Sequence, residues 1–537
     1  MSLAIRVESQ PSQVDSRRLT PPHSVRLLET PLDKPGTLFC FKTFRRYIGP
    51  GWLMSLAFID PGNIEADLQS GAFTGFTFVW VLVLAHLAGL VIQTFASRIA
   101  VVTGSGLAQI CRDNYPAPIA WFLWLMTELA IVGSDVQEVI GSSIALNLLF
   151  GLPLWMGCLL TAAFTIIFLL LYLFRGVELI EYGVVGVIGI IFSCFATDFI
   201  ATNPNLSNLA HGLFVPSLPA TRAETVQLVA MIGSVVMPHN LFLHSAVISK
   251  KFINRSSHAH IAQSIKYFVF DALVALTVSF LINLALQGSF AQGLFSPTCS
   301  LNPSGPLGCD PEMVAAVGCD LADCSCITPS GLGGICTQIG LSNAGNALSA
   351  ILPGRATFLF GLGLLAAGQA STLSGTMAGQ FVMEGFLELR VSFYARMLIT
   401  RGIALLPALA VALLQSDEES GMNNLSQCLN VLQSVQLPFA LIPLLHFTAK
   451  SNIMAEWVVT WKLRLVGWLL AGALIFVNGY LLHQQIESGL VCLLGGIGYV
   501  LFLTYLVCCD KPRTLPREPA PEIAGQEFAS TAYVRIL

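Results

Sequence analysis

Residues Gly49–Gly75 read GPGWLMSLAFIDPGNIEADLQSGAFTG, and the architecture of the chain is predicted from this segment. It is long and apolar enough to enter a bilayer, yet Asp60, Pro61, Gly62 and Asn63 lie in its middle. Pro removes a backbone donor and Gly supports a helix poorly, so the pattern predicts a helix that is broken at membrane depth. Such a break is tolerated only where the freed carbonyl groups are buried in protein or line a cavity. Asp60 is ionisable at that depth and is a candidate functional residue; the alternative is a proline kink whose carboxylate is satisfied by a neighbouring helix.

The composition indicates the class of protein. The chain has 537 residues, of which 54% are hydrophobic and 11% charged, and its mean hydropathy is +0.72. A soluble domain carries about 25% charged residues. We therefore expect an all-α polytopic membrane protein. Residues 1–45 are polar and rich in Pro, Ser and Arg, which predicts a disordered cytoplasmic tail without a signal peptide.

The apolar segments predict about twelve membrane spans. They lie near 50–74, 77–98, 118–147, 152–174, 179–199, 225–249, 263–287, 355–384, 392–415, 427–448, 464–483 and 487–508. The predicted organisation is spans one to six in 46–249, a cytoplasmic loop and span seven in 250–287, an extracytoplasmic Cys-rich loop in 288–354, spans eight to ten in 355–449, spans eleven and twelve in 450–510, and a cytoplasmic tail in 511–537.

Lys and Arg residues are distributed unevenly between the connections. They cluster before the first span, in the even-numbered connections and after the last span. The odd-numbered connections hold only Arg222 and, at the boundary with the eighth span, Arg355. By the positive-inside rule, both termini are predicted to be cytoplasmic.

The sixth span contains a second break. Leu228–Ile248 reads LVAMIGSVVMPHNLFLHSAVI, with Met237-Pro238-His239 near its middle. Spans one and six are five apart and so cross the membrane in opposite directions. Two broken helices at matching places predict an inverted repeat of two five-helix halves, with the binding site between the breaks.

The predicted gap collects ligands for a metal ion. Asp60, Asn63 and Met237 offer a carboxylate, an amide oxygen and a thioether, and Ala57 and Ser234 offer carbonyl oxygens freed before each Pro. Oxygen ligands suit hard and borderline divalent cations, and a thioether favours the softer transition metals. The alternative for Met237 is that it only fills the core.

Span three carries three carboxylates. Glu128, Asp135 and Glu138 fall on roughly one helical face, which must look into the protein. With His239 and Arg401 they are predicted to form a proton path beside the metal site. The alternative is a static polar network that holds helices together.

Other polar residues within the predicted spans have less defined roles. We interpret His244, one turn beyond His239, as structural or modulating. Gln93, Asn430 and Gln433 are amides that could complete the metal's coordination, or that could equally link helices.

The predicted outer loop contains six of the fourteen cysteines: Cys299, Cys309, Cys319, Cys324, Cys326 and Cys336. An even number of cysteines on the oxidising side predicts a disulfide framework with fifteen possible connectivities. The alternative is a metal-collecting cluster around Cys319, Cys324 and Cys326.

Three motifs resemble those of the NRAMP family of proton-coupled divalent-metal transporters. They are DPGN in span one, MPHNLFLHS in span six, and GQASTLSGTMAGQFVMEGFLELR in Gly368–Arg390. The resemblance covers about residues 45–510. It implies a LeuT-type 5+5 inverted repeat with two extra C-terminal helices, and symport of Mn²⁺ or Fe²⁺ with protons.

By motif, the resemblance implies metal binding by Asp60, Asn63, Met237 and the Ala57 carbonyl. It implies proton-pathway roles for His239, Asp135, Glu138 and Arg401. Ser234 stands where the family usually has Ala, and Ala370 and Met377 depart from the commoner Ser and Tyr. The family's span-ten Gln that contacts metal could correspond to Asn430 or to Gln433.

Three other functions compete with metal symport. A signalling receptor on the same scaffold would carry a large soluble C-terminal domain, and an amino-acid symporter would not place Asp60 and Met237 in the gap. A Mg²⁺-specialised relative would lack the Met. We expect no enzymatic activity, no resident cofactor and no nucleic-acid partner. The expected partners are the metal ion, protons and lipid. We expect a monomer. Its expected location is the plasma membrane or an endosomal or vacuolar membrane.

Overall fold

A computed structural model describes residues 32–34, 36–37, 39–175, 178–251, 253–300, 307–311, 325–352, 355–388, 393–414, 418–485 and 489–508. The protein is helical, and each of the twelve predicted apolar segments coincides with a helix or a pair of helices. The first eleven helices are α1 Phe41–Phe44, α2 Pro50–Ala57, α3 Pro61–Thr74, α4 Val79–Thr103, α5 Leu107–Asn114, α6 Ala117–Phe150, α7 Leu154–Arg175, α8 Glu178–Thr202, α9 Leu206–Phe214, α10 Arg222–Val235 and α11 Pro238–Ser249.

The second part of the chain contains the remaining helices and a small antiparallel sheet. The elements are α12 His258–Gly293, α13 Pro297–Ser300, β1 Gly308–Asp310, β2 Ser325–Ile327, β3 Gly333–Thr337, α14 Leu341–Ile351, α15 Ala356–Leu387, α16 Phe393–Leu414, α17 Glu418–Thr448, α18 Ser451–Met454, a 3₁₀ turn Ala455–Trp457, α19 Trp461–Gln485 and α20 Gly489–Cys508. The strands are ordered β1-β3-β2.

Seven helical spans among the described residues are long and apolar enough to cross a membrane, with α10 and α11 taken together. An eighth is added if α8 and α9, which are bent by 117°, form one span. The bend follows Asn203, whose φ of 47° is left-handed, and Pro204, which cannot continue the hydrogen-bond ladder of α8.

Both predicted breaks are present, in spans that run in opposite directions. The Gln227 amide on α10, before the second break, donates to the Ala66 carbonyl on α3, after the first break. On the other side of the breaks, Met54 of α2 packs with Leu243 and Val247 of α11. The half that follows the first break therefore meets the half that precedes the second, as in an inverted repeat.

Helix α12 lies alongside both α2 and α3. A Cβ at Gly51 would lie 2.7 Å from the Asp271 backbone, and one at Gly71 would lie 2.4 Å from the Gln287 carbonyl oxygen. Only Gly permits backbones to approach this closely. These contacts hold the two halves of the broken span against one continuous helix.

The segment before α1 also contacts α12. The Asp33 carboxylate accepts hydrogen bonds from the hydroxyls of Tyr267 and Thr43, and Lys266 lies 3.5 Å from it. Burial opposes ionisation of Asp33, but these partners together lower its pKa below the ordinary value. The remainder of the predicted tail, residues 1–31, lies outside the described part of the chain.

Candidate metal-binding site

The first break places Asp60 at the start of α3. Pro61 occupies the first helical position, where its missing N–H costs no hydrogen bond, and the Asp60 Oδ1 caps the helix by accepting from the Asn63 N–H at 2.8 Å. Both side chains are buried. The Asp60 Oδ2 and the Asn63 Oδ1 have no hydrogen-bond partner among the described residues. Two buried oxygens, one of them from a carboxyl group, are thus available at the break.

Helix α12 donates hydrogen bonds to some, but not all, of the carbonyl groups at the end of α2. The Ser279 hydroxyl donates to the Ser55 oxygen at 3.3 Å, and the Asn283 amide donates to the Phe58 oxygen at 2.9 Å. The Ala57 oxygen instead receives a long contact of 3.3 Å from the Asn63 Nδ2, which also donates to the Asp60 Oδ1 at 2.7 Å. The Asn63 amide therefore sits as a hydrogen-bond donor between the Ala57 oxygen and the Asp60 carboxylate.

The second break places Met237 immediately before α11. Its backbone is extended, its side chain is buried, and it provides no side-chain cap for the helix. Ser234, on the last turn of α10, donates its hydroxyl to the Met231 carbonyl at 3.0 Å. The hydroxyl that distinguishes this position from Ala is therefore used within its own helix.

A chain of amides connects the first break to α6 and α17. The Asn430 Nδ2 donates to the Gly62 oxygen at 3.0 Å, and the Asn430 Oδ1 accepts from the Gln137 Nε2 at 2.7 Å. The Gln137 Oε1 accepts from the Gln433 Nε2 at 3.0 Å. The Gln433 Oε1 has no partner within the described ranges. Both amide atoms of Asn430 thus form hydrogen bonds, whereas the buried Oε1 of Gln433 remains available as an acceptor.

Gln137 was missed by the sequence analysis. Its position between Asp135 and Glu138, as an uncharged polar group inside a membrane span, is the signal that could have identified it. It also lies against the break, because a Cβ at Gly62 would be 2.7 Å from the Gln137 Oε1.

Two of the three carboxylates of α6 face α15. A Cβ at Gly375 would lie 3.2 Å from the Asp135 Oδ1 and 3.3 Å from the Glu138 Oε1. Both side chains are buried, whereas Glu128 is half-buried two turns away. Farther along the same interface, a Cβ at Gly368 would lie 2.4 Å from the Ser142 hydroxyl oxygen. The Gly residues of the Gly368–Arg390 motif therefore let α15 approach the acidic face of α6.

The histidines of α11 are both buried. The His239 Nδ1 has no partner in the part of the chain that the structure describes. The His244 Nε2 is 2.9 Å from the Ser97 hydroxyl oxygen, and that hydroxyl donates to the Gln93 carbonyl at 2.7 Å. The Gln93 side-chain amide makes no hydrogen bond to described residues. Arg401 lies on α16, but its side chain is outside the described residues.

A second group of polar residues joins the half of the span beyond the first break to its neighbours. The Glu65 Oε2 accepts from the Leu341 N–H at the start of α14 at 2.7 Å. The Gln427 Nε2 lies 3.3 Å from both the Gln69 Oε1 and the Gln227 Oε1. These contacts connect α3 to α14, α17 and α10, and none of them was predicted from the sequence.

Four of the six loop cysteines form disulfides, Cys299–Cys336 and Cys309–Cys326. Cys299, Cys309 and Cys326 are buried, so the loop contains a small core rather than an exposed string of thiols. Because Cys326 is bonded to Cys309, it cannot contribute a thiolate to the alternative metal cluster. Cys319 and Cys324 lie outside the described residues.

A membrane protein in which two antiparallel spans are broken at facing positions, with unpartnered polar atoms beside the breaks, has the architecture of an inverted-repeat transporter. A family model described as natural resistance-associated macrophage protein-like matches residues 51–484. The chain belongs to this Nramp family.

Relatives and solved structures agree with this assignment. The chain is 41% identical over 490 residues to natural resistance-associated macrophage protein 2 of Mus musculus, covering 87% of this chain and 81% of the relative. It is 38% identical over 473 residues to metal transporter Nramp3 of Arabidopsis thaliana, covering 87% and 84%. A crystal structure of the Eremococcus coleocola manganese transporter superposes with a TM-score of 0.71 at 26% identity, covering 89% of this chain and 96% of that one.

A more distant structure supports the fold alone. Mhp1, a nucleobase-cation-symport-1 family transporter, superposes with a TM-score of 0.50 at 14% identity over 85% of this chain and 93% of its own. The predicted LeuT-type architecture is confirmed, and the chain is a multi-pass membrane protein.

Proposed function

We propose that the protein transports Mn²⁺ or Fe²⁺ together with protons towards the cytosol by alternating access. The observation that carries this proposal is the pairing of two broken helices with buried oxygens at Asp60 and Asn63 that have no partner among the described residues. A relative that is named a manganese transporter supports the choice of Mn²⁺.

The proposed ligands are the Asp60 carboxylate, the Asn63 amide oxygen, the Ala57 and Ser234 carbonyls and the Met237 sulfur. The Asn63 Nδ2 donates hydrogen bonds to both the Ala57 oxygen and Asp60, so it lies where a bound cation would lie. Rotation of the amide by half a turn presents its oxygen to an ion at that place instead. The Met237 sulfur favours transition metals over Ca²⁺ and Mg²⁺, which prefer oxygen ligands.

Of the two candidate amides on α17, Asn430 and Gln433, we assign the metal contact to Gln433. Asn430 uses both amide atoms to hold Gly62 and Gln137, whereas the Gln433 Oε1 is available. Gln433→Leu is therefore expected to lower Mn²⁺ affinity by about tenfold, equivalent to about 1.4 kcal/mol. Asn430→Leu is expected to destabilise the start of α3, and isothermal titration together with thermal melting separates the two effects.

The proposed proton path runs along α6 and α11. Asp135 and Glu138 lie against the same glycine of α15, and Glu128 extends the acidic face by two turns. His239 and Arg401 complete the path by family resemblance. His244 and Gln93 are assigned a modulating role; the Ser97 hydroxyl contacts the His244 ring and donates to the backbone carbonyl of Gln93.

The proposed setting is the plasma membrane or an endosomal or vacuolar membrane, with both termini cytoplasmic and the protein acting as a monomer. The positive-inside distribution of Lys and Arg supports this orientation. We propose no resident cofactor, since the metal ion is the substrate.

The experiment is metal uptake by purified protein in proteoliposomes with an imposed pH gradient, using Mn²⁺, Fe²⁺, Cd²⁺, Ca²⁺ and Mg²⁺. We expect uptake of the transition metals to increase when the outside is acidic, and little uptake of Ca²⁺ or Mg²⁺. Mn²⁺ uptake that ignores the gradient would contradict proton coupling. Absence of uptake for every metal, in protein that remains folded, would contradict transport.

A further inference from the structure

The interface between α3 and α12 holds a set of buried oxygens that the proposed metal site does not use. Asp67 is fully buried, and neither of its carboxylate oxygens has a hydrogen-bond partner among the described residues. It lies seven residues after Asp60, which places it on the same helical face about 10 Å farther along α3. A buried carboxylate without a compensating group is costly, especially within a membrane.

Direct contacts place this face of α3 against α12. The Gln287 Nε2 is 3.0 Å from the Ser70 hydroxyl oxygen, and a Cβ at Gly71 would lie 2.4 Å from the Gln287 carbonyl oxygen. Ser70 and Gly71 follow Asp67 by three and four residues, so the three share one face. Asp67 therefore points towards α12. It lies about one turn nearer to the break than Ser70 and Gly71, the two residues that Gln287 contacts.

Asn283 lies on α12 one turn before Gln287. Its Nδ2 donates to the Phe58 carbonyl at 2.9 Å. Since Phe58 pairs with Asn283 and Ser70 pairs with Gln287, the two segments run in the same direction, and Asp67 falls beside the turn between Asn283 and Gln287. All three side chains are fully buried.

The unpartnered atoms of these side chains are all acceptors. They are both oxygens of Asp67, the Asn283 Oδ1 and the Gln287 Oε1, within the residues that the structure describes. The orientation of Asn283 is fixed, because the Phe58 carbonyl requires a donor. A proton on Asp67 would supply one donor for three remaining acceptors. A cation can be coordinated by all of them, and one formal negative charge with neutral amide oxygens balances a monovalent ion.

We propose that Asp67, Asn283 and Gln287 form a binding site for a hard monovalent cation, Na⁺, two helical turns along α3 from Asp60. The site is separate from the proposed metal ligands and does not require them. A positive charge at this distance opposes a divalent cation at Asp60, so Na⁺ should compete with Mn²⁺ without sharing its ligands. We expect replacement of N-methylglucamine by Na⁺ to raise the KM for Mn²⁺ uptake at fixed pH.

The direct test is binding of ²²Na⁺ to the purified full-length protein, with N-methylglucamine as the replacing cation. Wild-type protein should bind Na⁺ saturably. Asp67→Asn and Gln287→Leu should each weaken binding by about tenfold or more. Asp271→Asn is the matched control. Asp271 is a buried carboxylate on α12, the helix of Gln287, and its Oδ2 already accepts from the Gly51 N–H at 2.6 Å.

Asp60→Asn separates this proposal from the proposed function. It should lose Mn²⁺ binding and keep saturable Na⁺ binding, weakened far less than in Asp67→Asn, because Asp60 is not a ligand of the proposed Na⁺ site and acts on it only through its charge at about 10 Å. If Asp67→Asn does not fold, as judged by size-exclusion chromatography, Gln287→Leu decides the result.

Several outcomes would overturn the proposal. One is the absence of saturable Na⁺ binding in the wild type, as expected if a rotated Gln287 amide donates directly to Asp67. Another is an Asp67→Asn variant that changes only the pH dependence of transport, which would make Asp67 a proton carrier. A third is direct displacement of ²²Na⁺ by Mn²⁺ in Asp60→Asn, which would make this a second divalent-metal site.

Discussion

Asp60 has two separable roles at the first break. Its Oδ1 caps α3, and its Oδ2 is a buried carboxyl oxygen without a partner in the described chain. Removing the carboxylate therefore affects both helix stability and the proposed ion contact. The amide of Asn can still accept from the Asn63 N–H, so Asp60→Asn isolates the charge.

We expect Asp60→Ala and Asp60→Asn to reduce Mn²⁺ uptake at limiting concentration by about hundredfold or more. Loss of one partner of a buried charge interaction costs about 3–5 kcal/mol, and each 1.4 kcal/mol is tenfold. Only Asp60→Ala should also lower the melting temperature, because it alone removes the cap. Wild-type uptake by folded Asp60→Asn would show that the charge is not needed.

Met237 is expected to determine selectivity more than affinity for Mn²⁺. As a proposed ligand, its sulfur should contribute to binding of soft Cd²⁺ and occupy a position that Ca²⁺ or Mg²⁺ would fill with oxygen. Met237→Ala should retain measurable Mn²⁺ transport, lose Cd²⁺ affinity and admit Ca²⁺ or Mg²⁺. The measurement is the ratio of Cd²⁺ to Ca²⁺ competition against Mn²⁺ uptake.

Met231→Ala is the matched control for this selectivity test. Met231 is also fully buried, six residues earlier in the chain and packed in the hydrophobic core. It should lose stability and keep the wild-type Cd²⁺-to-Ca²⁺ ratio. An unchanged ratio in Met237→Ala would mean that Met237 is also a packing residue.

At the scale of elements, the contact between α6 and α15 positions the acidic residues. Gly375 leaves room for Asp135 and Glu138, and a methyl group there would lie 3.2 and 3.3 Å from their oxygens. Such contacts are tighter than ordinary van der Waals packing, so one or both carboxylates must move. The two helices thereby fix the geometry of the proposed proton path.

Gly375→Ala should flatten the pH dependence of Mn²⁺ uptake while changing Mn²⁺ affinity by less than about threefold, which is under 1 kcal/mol. Gly402→Ala on α16 is the control, because a Cβ there meets nothing within 4 Å. Ala favours a helix over Gly by about 1 kcal/mol, so the control should be as stable as the wild type or more stable. A wild-type pH profile in Gly375→Ala would remove the α6–α15 contact from the proton path.

At the scale of the whole molecule, the described part of the connection between α12 and α15 forms a folded unit. The three strands and α13 carry the four cysteines of the two disulfides, and α14, which follows β3, is tied to α3 through Glu65. The unit therefore connects the loop to the half of the broken span that follows Asp60. Disulfide constraints on the loop should stabilise this connection.

Mass spectrometry of the non-reduced protein should find the linked pairs Cys299–Cys336 and Cys309–Cys326. Replacing Cys309 and Cys326 with Ser should lower stability by about 2–4 kcal/mol and leave Mn²⁺ affinity nearly unchanged. Cys428→Ser, which removes an exposed free thiol, is the control and should have no effect on stability. Free thiols at these four positions in native protein would contradict the framework.

Sequence alone determined the features that depend on local chemistry. Long apolar segments predict helical spans, because a helix satisfies all its backbone hydrogen bonds within one segment in lipid. Pro61 and Pro238 break two of these spans, because Pro has no N–H to donate. The offset of five spans between these breaks was sufficient to predict an inverted repeat, and the cysteine count predicted disulfides. These inferences require no knowledge of which helices touch.

The pairing of the polar groups could not be predicted without the packed helices. Asn430 and Gln433 are equivalent amides in the sequence. In the structure, Gly62 and Gln137 bond both amide atoms of Asn430, whereas the Oε1 of Gln433 remains without a partner among the described residues. In the same way, Asp67 becomes notable only because Ser70 and Gly71 turn its face towards α12, where Asn283 and Gln287 present further acceptors. Hydrogen-bond partners across helices depend on relative rotation and close approach, and those are set by packing over the whole bundle rather than by any one segment.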